Sequence, residues 1–246
     1  MPARTPQPST PNGPAMNDSE TAIHIENVSK SYTRGRQKVS VLDGIDLQVA
    51  RGDFMALMGP SGSGKSTLLN LIGGLDRVDS GTIRVQGTDL VSLSPAALAR
   101  WRSQKVGFVF QSYNLLPVLS ALANVELPLL LSTMSGSERR KRASLALEIV
   151  GLADRAMHRP AELSGGQAQR VAIARALVAD PEILIGDEPT GDLDRETADD
   201  VLGLLQTLNR DHGKTIVMVT HDPKAAQYAS TRLNLDKGRL VTTCPA

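Results

Sequence analysis

Two short stretches of this chain carry most of its chemical potential: GPSGSGKS, Gly59 to Ser66, and the acid pair of EILIGDEPT, Asp187 and Glu188. The first matches GxxxxGK(S/T). Gly59, Gly62 and Gly64 stand where a Cβ would obstruct close backbone approach, so consecutive N–H groups can turn inward around a phosphate. Lys65 then supplies positive charge at the β and γ phosphates of a nucleotide. Ser66 can place its hydroxyl on Mg²⁺, and a helix starting there directs its positive end at the anion. With Pro60, Ser61, Ser63 and Thr67 between and beyond them, residues 59–67 are the expected phosphate-binding set. A flexible Gly/Ser turn would share the composition. It would not have the apolar run FMALM directly before it and a helical pattern directly after it.

Such a loop alone leaves kinases, GTPases, helicases and transport ATPases open. EILIGDEPT narrows the choice, because an apolar strand ending in two acids delivers carboxylates to the C-terminal edge of a parallel sheet. Successive side chains on a strand point opposite ways, so the two acids can differ in role. Asp187 is expected in the Mg²⁺ shell, and Glu188 facing the water that attacks the γ phosphate.

Positioning these groups requires an α/β fold. AIHIENV (22–28), VSVLDGIDLQV (39–49) and FMALM (54–58) read as strands and give a β-rich start. After Gly64 short apolar strands (TIRV, VGFVF, EILI, TIVMVT) alternate with helix-length segments, one of them starting at Ser94 and Pro95. That alternation predicts a parallel sheet covered by helices. Between Gln111 and Leu163 the strand signals stop, and SALANVELPLLL and SERRKRASLALEIV read as helices, a helical insertion at about 112–163. RLNLDKGRLV predicts a hairpin turning at Lys237 and Gly238, and Asp222–Pro223 a helix start.

The chain of 246 residues is long enough for one full α/β core, and 27 basic against 26 acidic residues give no basic surplus for binding nucleic acid. Its single cysteine, Cys244, excludes an internal disulfide and a cysteine-rich zinc module. Residues 1–20 hold five prolines and no apolar run, and read as a disordered tail ahead of one domain over 21–246; Met16 is a second candidate start. The most apolar later window, 115–131, is interrupted by Pro117, Asn124, Glu126 and Pro128, so no membrane span is expected.

LSGGQ, Leu163 to Gln167, adds a second phosphate-type feature: Ser164 can cap a helix whose N-terminus Gly165 and Gly166 leave open to an anion. Together with GPSGSGKS and EILIGDEPT, and in that order, LSGGQ resembles the ATP-binding subunits of ABC transporters, from about Ile23 to Val241. The resemblance implies a P-loop core with a parallel sheet, an N-terminal antiparallel β subdomain and an inserted helical subdomain. It also implies ATP and Mg²⁺ as ligands, and ATP hydrolysis coupled to transport. In that family LSGGQ closes over the γ phosphate held by the P-loop of a second ATPase subunit, so Ser164, Gly165, Gly166 and Gln167 are expected to serve a partner in a homodimer.

Other positions carry over singly. Tyr32, in SKSYTRG, matches an aromatic residue that stacks on adenine. Gln111 matches the glutamine that touches Mg²⁺ and the attacking water. Asp194, in GDLD, matches a loop aspartate lying across the dimer, and His221 matches a histidine that contacts the γ phosphate. Gly186 stands where many relatives have alanine, and Ala168 replaces a commonly polar residue, but no reacting group is missing. LNLIGGLDRVDSGTI, GFVFQSYNLLP and NVELPLLL are most similar to the lipoprotein-releasing and macrolide-efflux group. That implies a separate integral-membrane permease docked near the helical insertion, at the cytoplasmic face of the membrane, and export or lipoprotein release. The alternative is a regulatory ATPase that signals across the membrane without moving cargo.

Overall fold

The computed structural model describes residues 20–35 and 37–241. The expectations for the N-terminal tail, apart from Glu20, and for Cys244 lie outside the described residues. Two sheets organise the molecule. In the first, β1 (Thr21–Arg34), β2 (Gln37–Ala50), β4 (Ser80–Val85) and β5 (Thr88–Asp89) run antiparallel in the order β2-β1-β4-β5. In the second, β3 (Phe54–Met58), β6 (Val106–Phe110), β7 (Ile183–Asp187), β8 (Thr215–Val219), β9 (Thr231–Asp236) and β10 (Arg239–Val241) are ordered β10-β9-β3-β8-β7-β6. All its pairings are parallel except the β9–β10 hairpin. That hairpin turns where expected, with Lys237 (φ 45°) and Gly238 (φ 76°) both left-handed, as a tight two-residue turn demands.

β3, β7 and β8 are buried on both faces, which is why they read as apolar runs. Along β3, Phe54 and Ala56 join one core cluster while Met55 and Leu57 join the other; Ile216 and Met218 against Val217 and Val219 repeat the alternation on β8. The second cluster also takes Ile23, Ile25 and Ile83 from the antiparallel sheet, together with α1 (Lys65–Ile72) and Leu98 and Trp101 of α2 (Pro95–Lys105). The first is built with α3 (Ala121–Glu126), α4 (Gly136–Ile149), α5 (Gly165–Leu177) and α6 (Arg195–His212). Between β6 and α5 the described secondary structure is helical throughout: α3, a 3₁₀ turn at Leu127–Leu131, α4, and short 3₁₀ turns at Ala153–Arg155 and Pro160–Glu162.

One local expectation needs correction. No α-helix starts at Asp222–Pro223. Asp222 Oδ1 accepts from the Lys224 N–H at 2.9 Å, and only a 3₁₀ turn, Ala225–Tyr228, follows. Because β8 and β9 both run parallel to β3, residues 220–230 must cross the height of the sheet. A 3₁₀ helix covers about 2.0 Å per residue against about 1.5 Å for an α-helix, so the short crossover favours the steeper form. LSGGQ folds as expected: Ser164 caps α5, Gly165 and Gly166 are its first residues, and Gln167 completes a reciprocal capping box.

Candidate functional site

β3 delivers the phosphate loop to the sheet's C-terminal edge, and α1 begins at Lys65, as the sequence predicts. Gly59 (φ 143°) admits no side chain: a Cβ would run into the Leu235 carbonyl oxygen. Gly64 (φ 105°) is confined less severely, a Cβ there lying 2.9 Å from the Val41 carbonyl oxygen. No side chain caps α1, so its first N–H groups remain available to a ligand. The Lys65 side chain is buried and folds back along the loop, its Nζ donating to the carbonyls of Gly59 (2.8 Å) and Pro60 (2.9 Å). Gly238 N–H donates to Ser63 O at 3.1 Å and anchors the loop to the β9–β10 hairpin.

β7 brings the two acids alongside. Asp187 Oδ1 accepts from Ser66 Oγ at 3.2 Å. Burial raises the Asp187 carboxyl above the ordinary carboxylate range; the Ser66 hydrogen bond opposes this, neighbouring Glu188 adds to it, and Lys65 opposes it. A hydroxyl and a carboxylate side by side are hard oxygen donors suited to Mg²⁺, which usually takes one or two protein oxygens plus phosphate oxygens and waters. The donor set therefore fits the ion. Glu188 adopts a left-handed backbone (φ 50°), with its N–H donating to Val219 O at 3.0 Å, and its Oε2 lies 3.0 Å from His221 Nδ1. A carboxylate only accepts, so Nδ1 carries the proton in this pair and leaves Nε2 to face outward.

These groups share one open cleft of about 780 Å³, lined by Tyr32, Val41, Ser61, Gly62, Gly64, Lys65, Ser66, Thr67, Glu188 and His221. Tyr32 is partly exposed at its rim. Its hydroxyl donates to Asp76 Oδ2 at 2.6 Å, and Lys30 Nζ, 5.0 Å from the ring centroid, donates to Asp76 Oδ1 at 2.9 Å. Although burial works against it, Asp76 is held below the ordinary carboxylate range by Tyr32, Lys30 and the Arg77 N–H. A flat aromatic face fixed by its hydroxyl can receive a nucleobase.

Asp187 meets this cleft only through its bond to Ser66, and Gln111, Asp194 and the LSGGQ residues are not among its lining. Gln111, just past β6, donates from Nε2 to Asp192 Oδ1 at 2.6 Å. Asp194 caps α6, accepting the Thr197 N–H at 3.0 Å and its hydroxyl at 2.7 Å; these bonds lower its carboxyl's proton affinity. Ser164, Gly165, Gly166 and Gln167 form the first turn of α5, and Gly165 sits beneath the Tyr113 hydroxyl. Gln169 ties α5 to Phe110 O at 3.2 Å, the end of β6. β6 lies three strands from β3, which carries the phosphate loop, roughly 14 Å at about 4.8 Å per strand.

Sequence reading missed Asp76, Asp192, Gln169 and Arg175, the last of which donates to the carbonyls of Tyr113 and Asn114. Asp192 lies within the quoted GDLD and was open to notice. The others act through contacts at long sequence separation that no local pattern announces.

The sequence profile described as "ABC transporter" matches residues 42–191. The chain is 51% identical to the uncharacterized ABC transporter ATP-binding protein YvrO of Bacillus subtilis, covering 89% of this chain and 95% of that one. It is 48% identical to the lipoprotein-releasing system ATP-binding protein LolD of Geobacter metallireducens, over 89% and 97%. Identity is 47% to the macrolide export ATP-binding/permease protein MacB of Marinobacter nauticus, where 89% of this chain matches only 34% of the longer relative. Among solved structures, the ATP-binding cassette MJ0796, a dimer in a post-hydrolysis state bound to ADP and Pi, superposes with a TM-score of 0.82 at 44% identity, covering 89% of this chain and 97% of that one. Profile, relatives and architecture agree with the cleft: this chain belongs to the ABC transporter family, as an ATP-binding and ATP-hydrolysing subunit of the LolD/MacB type.

Proposed function

We propose that the chain works as a homodimer that hydrolyses Mg-ATP at the cytoplasmic face of the membrane and drives a separate integral-membrane permease in export or lipoprotein release. The relatives named for lipoprotein release and macrolide export support the direction of transport. Residues 21–246 would form one ATP-binding domain, with the helical stretch at about 112–163 turned toward the permease.

In this reading the backbone N–H groups of the 59–67 loop, Pro60 having none, and Lys65 hold the phosphates, and Tyr32 receives the adenine. Ser66 and Asp187 would hold Mg²⁺, which when bound would supply positive charge to the phosphates. Glu188 accepts a proton from the attacking water. His221 donates to Glu188 through Nδ1 and turns Nε2 toward the γ phosphate. Gln111 would serve the metal and the attacking water, for which it would have to release Asp192, its partner in this structure. Ser164, Gly165, Gly166, Gln167 and Asp194 serve the ATP held by the second subunit.

The single observation carrying the catalytic assignment is that Glu188 and His221, bonded at 3.0 Å, line the same cleft as Lys65 and Ser66. Glu188→Gln keeps the shape and removes the basicity, so hydrolysis should fall roughly 10²- to 10⁴-fold while ATP binding persists. An unchanged hydrolysis rate would refute the role given to Glu188.

A further inference from the structure

Gln169 is a fully buried polar side chain on α5, outside the nucleotide cleft. Its Nε2 donates to two backbone carbonyls from different elements: Phe110 O at 3.2 Å, at the end of β6, and Pro189 O, just beyond β7. Two carbonyls accept and cannot donate, so the amide must present its NH₂ to both. Phe110 directly precedes Gln111, and Pro189 directly follows Glu188. One buried amide therefore joins the two backbones from which the water-facing side chains of the proposed mechanism project.

The turn it braces is held under constraint. Glu188 is left-handed at φ 50°, a conformation a side-chain-bearing residue keeps only where its surroundings over-determine it. The Glu188 N–H bonds Val219 O and the Gly191 N–H bonds Glu188 O, both at 3.0 Å, which ties the turn to β8 and to itself. Gln169 adds a tie to α5, the helix that opens with Ser164.

We propose that Gln169 is a positioning residue for hydrolysis: its amide clamps the Phe110–Gln111 and Glu188–Pro189 backbones to α5 and fixes the spacing of the groups that face the attacking water. This rests on the reading of Glu188 given above. Small misplacement of reacting groups costs up to about a hundredfold in rate. Gln169 touches no nucleotide-lining residue through its side-chain bonds, so ATP affinity should be spared.

Gln169→Met keeps the length and removes both donors. In the full chain it should lower kcat by roughly 10- to 100-fold, with KM for ATP and the Mg-ATP thermal shift within about twofold of the parent. A general loss of structure would move all three together. In a Glu188→Gln background, measured by single turnover, adding Gln169→Met should change the residual rate by less than about twofold, because groups acting as a unit are non-additive. Should Gln169→Met fail to fold, Gln169→Leu, which is uncharged and likewise lacks both donors, replaces it with the same readouts. A kcat within twofold of the parent, a KM rise without a kcat fall, or a full independent loss in the Glu188→Gln background would overturn the proposal. Failure of Glu188→Gln alone to slow hydrolysis would instead overturn the reading beneath it, and the two failures appear in different variants.

Discussion

Two helices of this molecule start with glycine-rich sequence, and their N-termini are finished differently. α1 has no side-chain cap; its open amides and Lys65 wait for a ligand, and a phosphate can itself serve as the cap. α5 caps itself: Ser164 Oγ accepts the Gln167 N–H at 3.2 Å, and Gln167 Oε1 accepts the Ser164 N–H at 3.0 Å. The Ser164 hydroxyl hydrogen stays free to donate outward. The first terminus is thus equipped to bind an anion by itself, whereas the second offers one hydroxyl and the amides of the glycines. Such a site adds to a phosphate that something else already holds. In the proposed homodimer that something is the other subunit.

The comparison breaks most visibly at Lys65. A ligand at about 100 times its dissociation constant stabilises by roughly 2.7 kcal/mol, and Lys65→Ala should erase that gain in a thermal-shift assay. A parent-like shift would mean that α1 is not the primary site.

A smaller effect separates the two glycine-rich stretches by purpose. A Cβ at Gly166 would run into Thr197 Cγ2, so this glycine is required by packing against α6 within its own chain. Gly166→Ala should destabilise by about 1–3 kcal/mol, and Thr197→Ser should restore part of the loss, because it deletes the methyl and keeps the hydroxyl bonded to Asp194. Differential scanning calorimetry of the pair decides; without rescue, the Gly166 constraint lies elsewhere. Gly166 is accordingly a poor place to test phosphate contact, and exposed Ser164 a better one.

The smallest expected effect concerns Asp187. Burial raises its carboxyl, so the stability it contributes is fully present below about pH 4, the ordinary range of an aspartate, and is lost as pH rises through the elevated folded value. At pH 7 the nucleotide-free protein holds a partly buried charge unfavourably. Asp187→Asn should raise its Tm there by less than about 3 °C after solvent screening, and the difference should vanish below about pH 4. The Mg²⁺-dependent part of ATP stabilisation should disappear in the same variant. A clear fall in nucleotide-free Tm at pH 7 would contradict the sign.

The legible parts of the molecule are those whose physics is local. FMALM–GPSGSGKS–TLLNLI encodes strand, loop and helix in consecutive residues, and the buried strands β7 and β8 announce themselves as apolar runs. The hairpin at Lys237–Gly238 is equally local. What failed was local reasoning about a global constraint: Asp222–Pro223 is a sound helix start, overruled by the distance the β8–β9 connection must cover. The supports of the site were illegible for a related reason. Asp76 reaches Tyr32 across 44 positions and Gln169 reaches Phe110 across 59, pairings that only the folded chain creates.

The claim that the second terminus addresses another subunit is tested most directly by the oligomeric state of Glu188→Gln with saturating Mg-ATP. Unhydrolysed ATP should hold two chains together, Lys65 of one and Ser164 of the other meeting at the same γ phosphate, so the variant should elute as an ATP-dependent dimer in size-exclusion chromatography with light scattering. Adding Ser164→Arg should return it to a monomer while its Mg-ATP thermal shift persists. A Glu188→Gln chain that stays monomeric, or a double variant that remains a dimer, would contradict the account.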